Sequence, residues 1–141
     1  MKIEVSEVID RPVSEVFRFY GHEHVRNHPR WDPDMQLEQT SAGPIGVGTV
    51  IRRHVTRGGR TVEGTMEVVE FEPGETFATV IRDGPREVRG RATFEPDGPD
   101  RTTLTISADM PGMDESTDTT MITDLMRRSI ENMKRLIEGD G

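Results

Sequence analysis

The sequence contains no cysteine, which removes disulfide bridges, thiolate metal sites and cysteine nucleophiles together. It has no run of about 18 apolar residues that would span a bilayer. Its opening MKIEVSEVID lacks the apolar middle and small-residue cleavage site of a signal peptide. A cytoplasmic location without membrane insertion is therefore the expectation. Aromatic residues are scarce, at 5 % of the chain, with one tryptophan and one tyrosine. Hydrophobic residues reach 32 % against 31 % charged, which is lean, yet the periodicities below are those of packed elements rather than of disorder. Lysine is nearly absent, since arginine supplies 16 of the 18 basic residues, a bias that reads as high-GC coding before it reads as function. The 26 acidic residues outweigh them to a net charge of -8, which repels phosphate backbones and anionic lipid surfaces and argues against nucleic acid as a partner.

What remains is 141 residues with evenly spaced turn signals and no repeat or linker, the length of one domain. Ile3, Val5 and Ile9 alternate as in a half-buried strand over 2–9. Pro12 then opens a helix in which Val13, Val16, Phe17 and Tyr20 recur at i, i+3, i+4 and i+7. Gly21 is expected to break it, a second short helix to run to about 28, and Pro29 to return the chain to an extended path through a Trp31–Asp34 loop. From 36 to 110, turn clusters at Gly43-Pro44, Gly58-Gly59, Pro73-Gly74, Asp83-Gly84-Pro85 and Asp97–Asp100 delimit six strands of an antiparallel meander. Val47, Ile51 and Val55 share one face of the first long strand, and Leu104, Ile106, Ala108 and Met110 one face of the last. The apolar phase changes between Val68 and Val69, which predicts a β-bulge. A long helix over about 116–138 follows the helix-start residues Asp114 to Asp118 and closes near Lys134, Arg135 and Gly139. Its apolar arc holds Met121, Ile122, Leu125, Met126, Ile130, Met133, Leu136 and Ile137, with Ser129 the one polar residue near the middle.

Several segments together carry a family likeness. VSEVIDRPVSEVFRFY, HPRWDPDM, IGVGTVIRRHV, VVEFEPGETFA and GRATFEPDGPDRTTLTISADMPGM follow one another in that order across nearly the whole chain. In order and spacing they resemble the START-like, or SRPBCC, superfamily, which includes polyketide cyclase/dehydrase-like proteins. The resemblance implies an α+β helix-grip fold: a curved antiparallel sheet of about seven strands wrapped around a long C-terminal helix, with two short helices between the first and second strands. It also implies a cavity between helix and sheet, used in that superfamily for lipids, sterols, polyketides and hormones. Only some members are enzymes, so fold alone leaves activity open.

Strand parity, the helical arc and the implied cavity select Trp31, Ile51, Arg53, Met66, Phe94, Ile106, Met110, Met121, Leu125, Ser129 and Met133 as candidate lining residues. Trp31 serves equally as a wall of the entrance or as core. The methionines suit an irregular apolar ligand or an irregular core. Arg53 on an inward face needs a carboxylate, a ligand anion or the solvent rim, because an unpaired buried charge costs several kcal/mol. His22, His24 and His28 read as surface residues before a metal site or a role at the cavity mouth, since positions 22 and 24 of a helix diverge by about 200° and only 24 and 28 share a face. Glu63, Glu67, Asp109, His54 and Tyr20 are scattered acid/base candidates that no spacing pairs. Gly43–Gly48 lacks the strand-to-helix context and the lysine of a phosphate loop, and no GxSxG elbow occurs.

The leading expectation is a binder of a small hydrophobic or amphipathic ligand, as carrier, sensor or storage protein, with no cofactor and no metal. A cyclase/dehydrase-type enzyme is the alternative from a second class, signalled by buried His, Asp, Glu or Tyr that converge. A co-chaperone-like interaction module is the third, signalled by a filled interior and a large exposed apolar patch. A homodimer is compatible with the sequence, which does not set the oligomeric state.

Overall fold

The alternation in Lys2–Ile9 produces the first strand, β1, in the computed structural model, which describes residues 1–113, 116 and 118–139. Val5 and Ile9 point inward and are buried. Pro12 stands at the N-cap of α1 (Val13–Phe17) with its backbone extended, and Val16 and Phe17 turn into the core. Gly21 does not break this helix as expected. The chain continues through a π-helical stretch, Arg18–His22, and turns only at Glu23 before α2 (His24–Trp31). Gly21 instead makes room for a ring. A Cβ there would meet Phe17 Cε1 at 3.0 Å, so the bare backbone lets the phenyl group lie against it.

Pro29 also behaves differently from the expectation, since it lies inside α2 and the helix persists to Trp31. Two contacts override the proline. His24 and His28 are hydrogen-bonded to each other, and Trp31 at the last position is 3 % accessible, so tertiary burial outweighs local preference.

Six strands follow, β2 (Met35–Gln39), β3 (Val50–Arg57), β4 (Arg60–Glu72), β5 (Thr76–Asp83), β6 (Arg86–Pro96) and β7 (Thr102–Asp109). They form one antiparallel sheet in the order β1-β7-β6-β5-β4-β3-β2. Val47 falls before β3, in a turn, and is 69 % exposed rather than sharing the face of Ile51 and Val55. The phase change at Val68 is a register shift between Val68 and Glu70 in the β4–β5 ladder, the bulge the pattern implied. Gly58 and Gly59 join β3 to β4 with φ of 59° and 78°, the left-handed backbone that a two-residue hairpin demands.

The last element, α3 (Thr120–Gly139), has Asp118 at its start, whose carboxylate accepts the Thr120 N–H at 3.0 Å. Asp114, Glu115 and Thr117 lie outside the described residues. Ile130, Met133 and Ile137 bury one stripe of α3 in a core shared with β1, α1, β6 and β7. Leu125 is half-buried, less than its place in the apolar arc implied. The C-terminal end is tied to the start of the chain: Lys134 Nζ donates to the Val8 carbonyl at 2.6 Å, and the Asp10 N–H donates to Glu138 Oε2 at 2.8 Å. The curved sheet and gripped helix are the α+β arrangement that the sequence led us to expect.

Candidate functional site

Inward parity on β3 carries Ile51, Arg53 and Val55 to the concave face. Arg53 is 7 % accessible, and its Nη1 makes a salt bridge to Asp83 Oδ2 from the end of β5. Among its alternatives, then, Arg53 takes a carboxylate. Room for the pair comes from Gly64, which faces Arg53 across the β3–β4 ladder. A Cβ at this position would collide with Asp83 Oδ1 and with the Arg82 carbonyl oxygen. A glycine inside a strand marks such a close approach, a signal that shows where the backbone is crowded without naming Asp83. Two atoms of the pair, Arg53 Nε and Asp83 Oδ1, are buried without a hydrogen-bond partner among the described residues. Gly64→Ala is expected to force the pair apart and destabilise the fold by about 1 to 3 kcal/mol. Urea unfolding measures it, and a change below about 0.5 kcal/mol would show that the strand relaxes freely.

Arg53 and Asp83 line an open cleft of about 460 Å³ between the β3–β4 and β5–β6 hairpins. Val55, Val62 and Pro85 supply its apolar surface, and Arg57, Arg60 and Arg86 bring further positive charge. Arg57 is held from behind by Asp32 at 2.8 Å and Asp34 at 3.3 Å. Arg60 and Arg86 have no ion-pair partner among the described residues. Four guanidinium groups thus share the lining with one carboxylate, on a chain whose net charge is -8. A field of that sign draws anions locally.

A hydrogen-bonded chain runs along α2. His24 is 2 % accessible and its Nδ1 lies 2.7 Å from the Tyr20 carbonyl, which can only accept, so Nδ1 carries the proton. His24 Nε2 is then an acceptor, and His28 Nδ1 donates to it at 2.9 Å. Each imidazole also stacks: His24 on Phe77 at 4.9 Å, His28 on Trp31 at 5.0 Å. Burial pushes His24 down to about 4 against the raising effect of its bond to Tyr20. Burial also holds His28 well below the ordinary histidine range, with the charges of His24, Arg53 and Arg57 acting in the same direction. Burial pushes the Tyr20 phenol upward. The expectation of surface histidines is corrected for His24 and His28, whose shared helical face is the one turned to the sheet. His22 alone is exposed, edge-on to Phe17 and Phe71. His54 faces outward as expected, 3.1 Å from Glu63, and Glu63, Glu67 and Asp109 are all exposed.

The other sequence candidates divide into three groups. Ile51, Met66, Phe94, Ile106, Met110 and Met133 are all buried, and Phe94, Ile106, Met133 and Trp31 belong to one packed cluster. Trp31, stacked at 5.2 Å on Tyr20, takes its core role. Leu125 and Ser129 are half-buried at a crevice of about 60 Å³ beside Trp31 and Asn132, far smaller than the roughly 300 to 1,000 Å³ of a ligand pocket. Met121 is 83 % exposed, a correction to its place in the lining: it is the second residue of α3, ahead of the stripe that meets the core. Among the described residues no group of three His, Asp or Glu side chains converges in a way that would hold a metal ion. No helix among them is long and apolar enough to cross a membrane.

A curved sheet closed around a C-terminal helix, with a cleft opening from its concave face, defines a helix-grip domain of the START type. A profile of the polyketide cyclase / dehydrase and lipid transport family matches residues 1–138, and the chain belongs to that family. No curated protein matches the sequence. Among solved structures, a START superfamily protein from Mycobacterium smegmatis is similar with a TM-score of 0.71 and 16 % identity, over 99 % of this chain and 95 % of that one. Ara h 8.0201 is similar with a TM-score of 0.75 and 12 % identity, over 99 % and 98 %. The di-domain ARO/CYC BexL from the BE-7585A biosynthetic pathway matches with a TM-score of 0.74 and 20 % identity, over 98 % of this chain but 46 % of that one. At these identities the likeness is one of fold.

Proposed function

We propose that the protein binds a small amphipathic molecule bearing an anionic group, seated in the cleft above Arg53 and Asp83. The observation that carries this reading is the lining itself, four arginines against one carboxylate beside Val55, Val62 and Pro85. Arg60 and Arg86, without ion-pair partners among the described residues, leave charge free for such a group. An anion held by two guanidiniums gains charge-assisted hydrogen bonds, and the apolar wall takes the rest of the molecule. A carrier, sensor or storage role fits such a site, and membership in a family described by both polyketide cyclisation and lipid transport accords with a small apolar ligand.

The enzyme reading is favoured by one observation, the hydrogen-bonded His24–His28 pair with the Tyr20 ring against His24. The interaction-module reading draws no support from the surface, where the exposed large hydrophobics Val8, Val47, Val62, Val69 and Met121 are divided among β1, the turn before β3, β4 and α3.

Titration with 8-anilinonaphthalene-1-sulfonate, an anionic apolar fluorophore, and with the uncharged dye Nile red tests the proposal. The double variant Arg60→Ala/Arg86→Ala should weaken the anionic probe about tenfold, roughly 1.4 kcal/mol, and change Nile red less than about twofold. Equal effects on both dyes, or on neither, would place the binding elsewhere.

A further inference from the structure

Two Glu-x-x-Arg spacings lie in the helical segment after β1, Glu15 with Arg18 and Glu23 with Arg26, and neighbours at that distance on a helix ordinarily pair. Neither pair forms. Glu15 lies 3.9 Å from the Arg11 guanidinium instead, and Glu23 Oε1 accepts from Asn27 Nδ2 at 3.3 Å. The side chains of Arg18 and Arg26 are left without a hydrogen-bond or ion-pair partner among the described residues. Arg26 also stands one turn before Arg30 on α2, where like charges oppose each other. Two cations thus lack the partners that the sequence sets beside them.

Arg18, Arg26 and Arg30 line one hollow of about 230 Å³, set between α1, the π-helical stretch, α2 and the C-terminal end of α3. It shares no residue with the cleft between the hairpins. Buried Phe19 and Ile137 back it with apolar surface, where charges attract more strongly than in open water. Asn27, 1 % accessible, braces the lining from beneath. Its Nδ2 donates to the Phe19 carbonyl at 2.9 Å as well as to Glu23, and its Oδ1 accepts from Arg30 Nη1 at 3.0 Å. Arg30 is held a second time by the Phe19 ring, whose centroid is 5.8 Å from Cζ. One braced guanidinium and two unpartnered ones therefore share a recess with a rigid polar floor.

We propose that this hollow is a second binding site, independent of the cleft, that takes a phosphate group, either as inorganic phosphate or as the monoester of a small alcohol. Charge decides against a monoanion. Glu15 and Glu23 share the lining with the three arginines, so a single negative charge gains little, whereas a phosphate group brings about -1.5 to -2 and three acceptor oxygens. Guanidinium forks match the edges of a tetrahedral phosphate, and three of them find only two oxygens on a planar carboxylate. Volume sets the upper bound. At about 230 Å³ the hollow is smaller than the roughly 300 Å³ at which pockets for drug-sized ligands begin, so it admits a phosphate on a body of a few carbons and excludes a nucleotide.

Isothermal titration of the full chain with inorganic phosphate, glycerol 3-phosphate and succinate tests the site. At least one of the two phosphates should bind with a Kd below about 1 mM, and succinate about tenfold more weakly or worse. Tighter binding of glycerol 3-phosphate assigns the site to esters, and equal or tighter binding of inorganic phosphate assigns it to the free ion. Arg18→Ala/Arg26→Ala should weaken the phosphate about tenfold or more. Both side chains are exposed and alanine suits a helix, so the variant should keep the fold. Arg60→Ala/Arg86→Ala should change the affinity less than about twofold, because those residues line the cleft and not the hollow. Nitrogen-15 amide spectra of the unmutated protein give a measurement that needs no variant: the shifts caused by phosphate should gather between Arg18 and Arg30 and spare the hairpin turns at Gly58 and Gly84. The proposal is overturned if neither phosphate binds below about 1 mM, if succinate binds as tightly, or if the loss and the shifts follow Arg60 and Arg86 instead.

Discussion

Acidification from pH 7 to pH 4 should remove about 3 kcal/mol of folding stability through His24 alone, at about 1.4 kcal/mol for each tenfold difference in proton affinity between the folded and unfolded states. The unfolded histidine titrates at 6.5 and the folded one at about 4. Above the upper value both states are neutral and the contribution is intact. Between the two values the unfolded chain takes up a proton that the folded protein refuses, so stability falls as pH falls through that window. Below about 4 both states are charged and the loss levels off. His28 adds to the loss in the same direction. The physical origin is that a protonated His24 would sit between the Phe77 and Tyr20 rings, bonded to a second imidazole that is itself near Arg53 and Arg57. Urea unfolding at pH 7, 5.5 and 4 measures it against His24→Gln. If the two proteins lose the same stability across that range, the histidine is not the group responsible.

Phe17→Ala should be a severely damaging truncation, at about 3 to 5 kcal/mol. The ring is 2 % accessible and sits edge-on to three others, with centroids 5.3 Å from His22, 5.3 Å from Phe71 and 5.0 Å from Phe94. Aromatic pairs of this geometry add to the area term. The scarcity of aromatics sharpens the effect, since the core has few other rings to close the gap. The bare backbone of Gly21 against the ring cannot move inward without bending the π-helical stretch. Val47→Ala, at an exposed turn, should stay within about 0.5 kcal/mol and serves as the reference. A loss below about 1 kcal/mol for Phe17→Ala would mean that α1 is not anchored by this ring.

The elements are legible in the sequence wherever one periodicity runs without competition. Ile3, Val5 and Ile9 mark out β1, and Ile130, Met133 and Ile137 mark the buried stripe of α3. Even the irregularity at Val68 shows as a lost beat in an alternating pattern. The departures gather where long-range contacts outweigh local preference. Pro29 reads as a helix stop, but the burial of Trp31 and the His24–His28 bond carry the helix past it. Metal spacing alone makes the histidines look like surface residues, and it hides that the face shared by positions 24 and 28 lies against the sheet. The inward place of Arg53 is visible from parity. Its partner is not, because Asp83 lies on β5 beyond an intervening strand and only the unexplained Gly64 hints at it. The conspicuous apolar arc of α3 points to open space along that helix, whereas the cleft lies among charged hairpin residues that pattern alone reads as surface.

The sheet order carries a consequence for how the protein is made. Every strand from β2 to β7 pairs with the one before or after it in the chain, so those ladders close over short loops as each hairpin leaves the ribosome. β1 is different, because its ladder runs from Lys2 opposite Asp109 to Ile9 opposite Thr102. The first strand synthesised must therefore wait, edge and apolar face uncovered, until the seventh has been made and α3 has followed it to lock Asp10 and Val8 in place. Such distant closure is slow and leaves an unpaired edge open to other chains. The acidic and serine side chains that alternate with Val5 along β1 keep that waiting strand from becoming a template for aggregation.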